Sequence, residues 1–289
     1  MPVPITRIEA DWLHQGKVAM AMLRADLVDA ELSGNKYYKL LPNLQLAREQ
    51  GQRTLLSFGG PWSNHLHALA AAGHRFGFAT IGIVRGDQGG PLTVCLHDAR
   101  EWGMQLQFVS RGDYDRRHDP AWWAELQQQF GPHYLIPEGG ANRAGIVGCQ
   151  QLIADRHDYT HIMLACGTGA TLTGIASVSR VPVIGIQVLK GAGYLQQQVA
   201  SLLVQHGLAA ACDWRVLDAW HHGGYGRVTP ALLDFMYKAE ADTGIPLEPV
   251  YAAKLLWAAR ALIGEDYFPP GARLLLVHGG GLQGRRSLG

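Results

Sequence analysis

The stretch ELSGNKYYKLLPNL (Glu31–Leu44) joins a Ser-Gly-Asn turn to the start of a helical pattern and carries two lysines, Lys36 and Lys39. Glycine and asparagine tolerate backbone conformations that interrupt regular structure. Lysine is scarce in this protein, with six residues against nineteen arginines, so a lysine at such a junction is informative. Two interpretations of Lys36 remain open: a solvated charge at a helix start, or an amine that loses its proton and forms a Schiff base with an aldehyde.

Short apolar runs rich in β-branched residues alternate with segments of helical period along the rest of the chain. The runs that we predict to be buried strands are Thr54–Phe58, Ala79–Val84, Leu106–Val109, Thr160–Ala165, Pro182–Val188 and Arg273–His278. This alternation predicts an α/β fold in which largely parallel sheets are covered by helices on both faces. No internal repeat or linker is visible, so we expect any second domain to be inserted into the first.

Composition argues against several classes of protein. The 289 residues are 47% hydrophobic and carry a net charge of +1, so no overall field attracts nucleic acid or an anionic membrane. Cys95, Cys149, Cys166 and Cys212 are far apart and form no C-x-x-C pair, which argues against a zinc site or a disulfide framework. No apolar segment approaches the roughly 18 residues of a membrane span, and no signal peptide is visible. We therefore expect a cytoplasmic protein without a metal, nucleic-acid or membrane partner.

The loop CGTGATLTG follows a predicted strand and leads into a predicted helix. Glycine N–H groups, threonine hydroxyls and the positive end of a helix all favour a bound anion, so Gly167, Thr168, Gly169, Ala170 and Thr171 form a candidate phosphate loop. The spacing matches neither the dinucleotide fingerprint nor the nucleotide P-loop. A tight strand-to-helix turn without a ligand is the alternative at this stage.

A second strand-to-helix turn, in SFGGPWSNHLH, contains Ser63, Asn64 and His65. Ser63 or Asn64 is a natural helix N-cap, which is the simpler interpretation. Alternatively, their hydroxyl, amide and backbone N–H groups bind a carboxylate. His65 and His67 are two residues apart and point to different sides of a helix, so we do not expect them to share a metal ion.

Two tyrosines lie among turn residues just before predicted helices: Tyr225 in HHGGYGRVTP and Tyr251 in IPLEPVYAAK. Most tyrosines in such positions are packed rings with one satisfied hydroxyl, and a catalytic role is the alternative. The combination of features is more informative than any one of them. A lysine, a phosphate loop without nucleotide signatures and a carboxylate-binding turn are what pyridoxal phosphate (PLP) needs when it acts on an amino acid.

At this point the sequence resembles a known family over nearly its whole length: the PLP-dependent enzymes of the tryptophan synthase β-subunit fold (fold type II), and among them the D-cysteine desulfhydrases and 1-aminocyclopropane-1-carboxylate (ACC) deaminases. SGNKYYKL resembles their G-N-K-x-R-K-L segment, with Tyr38 in place of the arginine. The motifs SNH, IPEGGANRAG, CGTGAT, LEPVYAAK and VHGGG resemble further segments of that group in the same order. The SNH, N-K and P-V-Y-x-x-K elements are specific as a set.

The resemblance implies a two-lobed architecture, with residues 1–39 and 148–289 as a larger PLP-binding domain and 40–147 as a smaller inserted domain. It also implies a homodimer. Lys36 becomes the Schiff-base lysine, and Gly167–Thr171 becomes the phosphate cup. Asn64 and Gly279 complete the expected cofactor contacts, and Ser63, Asn64 and His65 are expected to bind the substrate carboxylate.

The implied activity is removal of the α-proton of a small amino acid by Lys36, followed by β-elimination to a 2-keto acid and ammonia, with Tyr251 and Tyr225 flanking the substrate. Ala252 and Gly279 match neither group, because these two positions tend to hold Glu and Leu in ACC deaminases and small hydroxyl residues in D-cysteine desulfhydrases. His65 matches the desulfhydrases, since ACC deaminases usually have glutamine there. We therefore expect a desulfhydrase-like lyase; ring-opening ACC deamination and a PLP-binding protein with little turnover remain alternatives.

Overall fold

The computed structural model describes residues 3–15, 17–87, 89–154 and 158–287. The chain divides into two compact units. The larger unit comprises Met1–Asp29, Ser33–Asn35 and Cys149–Leu282, and the smaller one comprises Ala30–Leu32, Lys36–Gly148 and Gln283–Gly289. By these bounds the chain passes between the units five times, once at the peptide bond between Asn35 and Lys36. The domain limits expected from the sequence stay a prediction.

The larger unit contains a sheet in the order β1-β2-β10-β7-β8-β9 over the described residues. Its strands are β1 (Ile5–Ile8), β2 (Ala19–Arg24), β7 (His161–Cys166), β8 (Val183–Gln187), β9 (Trp214–Leu217) and β10 (Arg273–His278). Only β1 is antiparallel to its neighbour within that described sheet. Strand β8 is buried along its whole length, as expected for a parallel strand covered on both faces.

Five helices belong to the larger unit: α1 (Asp11–Gln15), α8 (Ala170–Ala176), α9 (Tyr194–Gln205), α10 (Pro230–Thr243) and α11 (Ala252–Gly264), counted over the described residues. Helix α8 follows β7 after three residues and is buried throughout. In open α/β sheets, ligands bind beyond the carboxyl ends of the strands, and this is where the β7–α8 loop lies.

The smaller unit contains a parallel sheet in the order β5-β4-β3-β6. Its strands are β3 (Thr54–Gly59), β4 (Ala79–Arg85), β5 (Gln105–Val109) and β6 (Tyr134–Ile136). Its helices are α2 (Asn35–Glu49), α3 (Asn64–Phe76), α4 (Val94–Glu101), α5 (Arg111–Asp115), α6 (Pro120–Phe130) and α7 (Arg143–Cys149). An alanine-rich helix α3 packs against the sheet in a core that includes Leu55, Leu66 and Ala70.

The predicted α/β class is confirmed, and each of the predicted strands corresponds to an observed one within one or two residues at its ends. Four strands were missed, for identifiable reasons. Strands β1, β6 and β9 have only three or four residues, too few to establish a period. Strand β2 reads AMAMLR, and its alanine, methionine and leucine favour a helix by intrinsic propensity. Among the described helices, none has the length and apolarity needed to cross a bilayer.

Candidate active site

The turn before Lys36 is fixed against the glycine segment that follows β10. Gly34 has φ +62°, and the N–H of Asn35 donates to the carbonyl oxygen of Gly279 at 3.2 Å. The N–H of Gly281 donates to Ser33 Oγ at 2.9 Å. These bonds all lie within the larger unit. They hold the backbone immediately before Lys36 in a single position.

The side chain of Asn35 adds a further attachment. Its Nδ2 donates to Thr171 Oγ1 at 2.8 Å, and Thr171 is buried on the first turn of α8. The residue that precedes Lys36 is therefore bonded to the loop that the sequence predicts to hold phosphate. The sequence indicated Asn35 only as part of the turn before Lys36, and its bond to Thr171 was not predicted.

The predicted phosphate loop is a turn without a side-chain cap. Gly169 at the N-cap position of α8 has φ 81° and ψ −16°, and within the described residues no side chain caps this helix. A Cβ at Gly167 would lie 3.1 Å from the hydroxyl oxygen of Tyr251, so glycine leaves room for the Tyr251 ring there. The hydroxyls of Thr168 and Thr171 belong to the same turn.

In the smaller unit, Ser63 is the N-cap of α3, as the simpler interpretation predicted. Its Oγ accepts a bond from the N–H of Leu66 at 3.2 Å. Asn64 begins the helix, and its Oδ1 accepts a 2.9 Å bond from Nε2 of Gln283 in the C-terminal segment. This bond uses the Oδ1 acceptor of Asn64, so its Nδ2 is the donor end of the amide. Nothing in the sequence pattern had indicated Gln283.

His65 is 3% exposed, and its tautomer follows from its neighbours. The hydroxyl of Ser57 has one proton, which it donates to the carbonyl oxygen of Ile136 at 2.7 Å. The 3.0 Å contact between Ser57 Oγ and His65 Nε2 must therefore be donated by the histidine, so Nδ1 is an acceptor. Within the described part of the chain, this buried Nδ1 has no hydrogen-bond partner.

The electrostatics of the smaller unit keep His65 neutral. Burial lowers the pKa of His65 well below its usual value, and the charges of Lys36 and Lys39 lower it further. Lys39 is itself 3% exposed, and its Nζ donates to the carbonyl oxygen of Gly139 at 2.8 Å. Lys39 thus takes part in packing against the turn of IPEGGAN rather than standing at an exposed position one helical turn beyond Lys36.

His65 and His67 contact different partners, since His67 Nε2 lies 3.0 Å from Asp98 Oδ2. Asp98 also pairs with Arg286 of the C-terminal segment. Burial lowers the pKa of His67, and its bond to Asp98 opposes that effect. Among the residues that the structure describes, no group of three or more His, Cys, Asp or Glu side chains is arranged to hold a metal ion.

Both candidate tyrosines lie in the larger unit, and their rings are arranged edge to face. The rings of Tyr225 and Tyr251 are 6.0 Å apart between centroids, at an interplanar angle of 71°. Tyr251 precedes α11 and also approaches Gly167 of the β7–α8 loop. The structure therefore brings Tyr225, Tyr251 and the predicted phosphate loop together in one unit.

Two buried ionisable side chains accompany these tyrosines, and sequence reasoning missed both. Glu248 accepts bonds from the N–H groups of Val250, Tyr251 and Ala252 at 2.8, 2.8 and 2.6 Å. Lys254 Nζ donates to the carbonyl oxygens of His221 and Gly224, each at 2.9 Å. The segment LEPVYAAK contained both residues, but its pattern alone does not reveal which backbone groups they bind.

His278, at the end of β10, is fully buried in a defined tautomer. Its Nδ1 accepts from the N–H of Gly280 at 3.1 Å, so Nε2 carries the proton and donates to the carbonyl oxygen of Pro246 at 2.9 Å. Burial lowers the pKa of His278. The adjacent Gly279 has space beside it: a Cβ there would meet Asn35 Nδ2 at 3.6 Å, an ordinary contact.

The chain belongs to the family of pyridoxal-phosphate dependent enzymes, whose model matches residues 33–280. It is 30% identical over 315 residues to the mitochondrial bifunctional D-cysteine desulfhydrase/1-aminocyclopropane-1-carboxylate deaminase of Arabidopsis thaliana, covering 98% of this chain and 77% of that protein. It is 29% identical to a putative ACC deaminase of Thermotoga maritima (90% of this chain, 88% of the relative). It is 26% identical to the D-cysteine desulfhydrase of Salmonella choleraesuis (89% and 85%).

Among solved structures, an ACC deaminase homologue superposes with a TM-score of 0.84 at 23% identity, covering 99% of this chain and 91% of the other. An O-ureido-L-serine synthase superposes with a TM-score of 0.67 at 16% identity, covering 99% of this chain and 90% of the other. These likenesses confirm the fold that the resemblance implied. The predicted cofactor class, PLP, is confirmed by the family.

Each unit has groups that suit a part of this cofactor. The β7–α8 loop offers threonine hydroxyls and an uncapped helix start, which suit a phosphate. The unpartnered, buried Nδ1 of His65 lies in the electrostatic field of Lys36 and Lys39. The Oδ1 of Asn64 is bonded to Gln283, which orients the amide and makes Nδ2 its donor. The first of these groups lies in the larger unit and the others lie in the smaller one.

Proposed function

We propose that this protein is a lyase of the D-cysteine desulfhydrase type. It converts a small amino acid with a β-leaving group, plus water, into a 2-keto acid, ammonia and the leaving group. The observation that carries the proposal is the 2.8 Å bond between Asn35 and Thr171, because it attaches the residue before Lys36 to the proposed phosphate loop. The names of the relatives support the reaction class.

The residues that would hold PLP can be assigned individually. Lys36 would bond to the aldehyde carbon, and Gly167–Thr171 would bind the phosphate through backbone N–H groups and hydroxyls. Asn64 would donate its Nδ2–H to the ring oxygen, because Gln283 already occupies its Oδ1. Gly279 would lie beside the ring. When bound, PLP supplies an electron sink that stabilises the carbanion formed at the α-carbon of an amino acid.

Lys36 is the proposed base for the α-proton. Its amine accepts that proton only in the unprotonated form, and placement by a rigid turn increases the efficiency of the transfer. The turn is held by the bonds of Ser33 and Asn35 to the segment after β10. Tight anchoring of the backbone leaves only the lysine side chain to adjust.

The substrate carboxylate is proposed to bind at the first turn of α3. Ser63, Asn64 and the backbone N–H of His65 are the donors there, and the helix N-terminus favours an anion. The imidazole of His65 is not such a donor, since its Nε2–H is bonded to Ser57 and its Nδ1 is an acceptor. We therefore assign the contribution of His65 to its backbone, and the ring to an acceptor role for a cationic or N–H group.

Tyr251 and Tyr225 are proposed to donate a proton to the leaving group. A thiolate leaves readily without protonation, so Tyr251→Phe is expected to have a mild effect with D-cysteine. A hydroxyl leaving group, as in D-serine, needs a proton. With D-serine, Tyr251→Phe is therefore expected to lower kcat about 100-fold. The comparison of these two substrates tests the role of the phenol.

ACC deamination is the second candidate, favoured by the facing pair of phenols and by the names of the Arabidopsis and Thermotoga relatives. Opening a cyclopropane requires a nucleophile or an acid next to the ring, which Tyr225 and Tyr251 would supply. His65, rather than glutamine, favours the desulfhydrase. The two candidates predict different substrates for the same lysine.

The deciding experiment is a substrate panel. Purified protein, reconstituted with PLP, is incubated with D-cysteine, L-cysteine, D-serine, β-chloro-D-alanine and ACC, and the 2-keto acid is quantified. We expect the fastest turnover with D-cysteine or β-chloro-D-alanine; ACC as the sole substrate would reject the desulfhydrase proposal. Lys36→Ala should lose both turnover and the borohydride-reducible adduct, whereas Lys238→Ala, at an exposed lysine of α10, should retain both.

We further propose that the protein is a homodimer located in the cytoplasm. The resemblance supports the dimer, and the four free cysteines support a reducing compartment. Sedimentation equilibrium of the PLP-loaded protein would measure the mass, and a monomer at micromolar concentration would reject the dimer. Fractionation of the source cells would test the location.

A further inference from the structure

The loop that carries Tyr225 has an irregular backbone that lacks the support of a helix or strand. His222, Gly223 and Gly224 have φ values of +49°, +94° and +114°, and Gly226 has +67°. Such conformations exclude a regular hydrogen-bond ladder. Tyr225 lies in the middle of this segment, so its position depends on contacts from elsewhere in the unit.

Lys254 supplies two such contacts. It is 0% exposed on α11, and its Nζ donates to the carbonyl oxygens of His221 and Gly224 on the two sides of the turn. The second of these carbonyl groups belongs to the residue directly before Tyr225. Burial of an ammonium group is costly unless its donors are bonded. An apolar side chain would fill the same space at a lower desolvation cost. The two hydrogen bonds that the ammonium group donates therefore explain why a lysine is buried there.

Glu248 has the corresponding relation to Tyr251. It is 2% exposed, and its carboxylate accepts from the N–H groups of three successive residues, Tyr251 being the middle one. These bonds satisfy the N–H groups at the start of α11 and fix the turn that precedes the helix. The electrostatic attraction between Glu248 and Lys254 opposes the cost of burying each of them.

Both buried charges thus act at the same end of α11. We propose that Lys254 and Glu248 are positioning residues: Lys254 holds the loop of Tyr225, Glu248 holds the turn of Tyr251, and together they set the 6.0 Å face-to-edge arrangement of the two phenols. This inference rests on the proposed function, because it gives the phenols a role at the substrate. The positioning itself is a property of the larger unit and can be measured separately.

The first measurement is hydrogen–deuterium exchange on the PLP-loaded protein. Lys254→Met keeps the apolar stem and removes the donors, and Lys238→Met, at an exposed lysine of α10, is the matched control. We expect exchange across residues 221–227 to accelerate at least about tenfold in Lys254→Met alone, since those backbone groups lose their anchor. PLP affinity should stay within about twofold of the wild type, because the residues assigned to the cofactor are unchanged.

The second measurement is a double-mutant cycle with Tyr225→Phe, using the panel substrate that Tyr225→Phe impairs most. We expect Lys254→Met to lower kcat by at least about tenfold with little change in KM, and Tyr225→Phe to add less than about twofold in that background. Lys254→Gln, which keeps one amide donor, should show the same pattern in weaker form and replaces the methionine variant if that variant does not fold.

Two results would overturn the inference. One is an unchanged hydrogen–deuterium exchange rate across residues 221–227 in Lys254→Met. The other is a loss of kcat in the double variant that equals the product of the two single losses. Failure of the proposed function gives a different result: no amino acid of the panel is turned over by the wild type. The exchange measurement then decides alone whether Lys254 holds the loop. Acceleration confined to residues 221–227 would support the positioning role, and its absence would reject it.

Discussion

Gly34 lies against Gly279 so closely that a Cβ at Gly34 would lie 2.0 Å from the carbonyl oxygen of Gly279. The two residues are 245 positions apart in sequence, one before Lys36 and the other just after β10. Their contact brings two separate motifs of the sequence together at the backbone. It explains why a glycine precedes Asn35: φ is +62°, and the space that a side chain would need is taken by the peptide group of Gly279.

Gly34→Ala is therefore expected to destabilise the protein by about 3 kcal/mol or more, since strain in the left-handed region adds to a backbone clash. Gly51→Ala is the matched control: its φ is +69°, and nothing lies within 4 Å of the added Cβ. That control should lower the free energy of unfolding by only about 1 kcal/mol. Urea unfolding of both variants measures the difference, and equal losses would show that the Gly279 contact is not limiting.

Asn35→Leu is expected to weaken PLP binding at least about tenfold, equivalent to about 1.4 kcal/mol, because it removes the bond to Thr171 and leaves that buried hydroxyl without its donor. Thr171→Val should have a similar effect. The double variant should be little worse than either single variant, because both remove the same bond. Titration of the apoprotein with PLP, followed by absorbance, gives the dissociation constants.

Thr243→Val provides the control, since it removes a threonine hydroxyl at the end of α10 that donates to the carbonyl oxygen of Ala239, away from the proposed phosphate loop. Its PLP affinity should equal that of the wild type. Additive losses for Asn35→Leu and Thr171→Val would mean that the two side chains act independently, and the bond between them would then not explain the placement of Lys36.

The sequence allowed the sheets, the lysine and the phosphate loop to be predicted because each has a local signature. Strand β8 reads as an apolar run, and Lys36 follows a Ser-Gly-Asn turn. The supports of the site have no such signature. Asn35, Gln283 and Lys254 act on partners 136, 219 and 30 or more residues away, and only the folded chain reveals which backbone or side-chain groups those partners are.

His65 illustrates a further limit of sequence reasoning. Its place in the SNH motif was visible, but its tautomer depends on a strand residue, Ser57, and on the carbonyl oxygen that Ser57 binds. A motif gives the residue type, whereas the direction of each hydrogen bond is set by the neighbours. The sequence predicted that His65 binds the substrate carboxylate without naming the atom, and the bond from Nε2 to Ser57 leaves the ring only an acceptor at Nδ1.

Gln283→Glu is expected to weaken PLP binding about tenfold by reversing a hydrogen bond. The glutamine donates to Asn64 Oδ1 at 2.9 Å, but a carboxylate accepts, so the Asn64 amide would have to turn its Nδ2 toward residue 283. Asn64 would then present an oxygen to the ring oxygen of PLP. Gln45→Glu is the control, because it removes a glutamine donor from an exposed pair on α2 in the same unit. Wild-type affinity for Gln283→Glu would reject the assigned orientation of Asn64.

Glu248→Gln is expected to change how stability depends on pH. Burial raises the pKa of Glu248 from 4.5 to about 7, so between these values the folded protein holds a proton that the unfolded chain has lost. Stability contributed by this group is therefore full below pH 4.5 and is lost as pH rises toward 7. Glutamine does not titrate, so the variant should lack that decline and gain up to roughly 3 kcal/mol relative to the wild type across the interval. Burial lowers the pKa of Lys254 to about 8, so the effect of Lys254 on stability falls above this pH window.

Chemical unfolding at half-unit steps from pH 4.5 to 7 measures the free energy of unfolding of Glu248→Gln and of the wild type. Glu265→Gln, at an exposed residue just after α11, serves as the baseline. Parallel curves for Glu248→Gln and the wild type would show that the carboxylate is ionised throughout, held so by its three N–H donors and by Lys254.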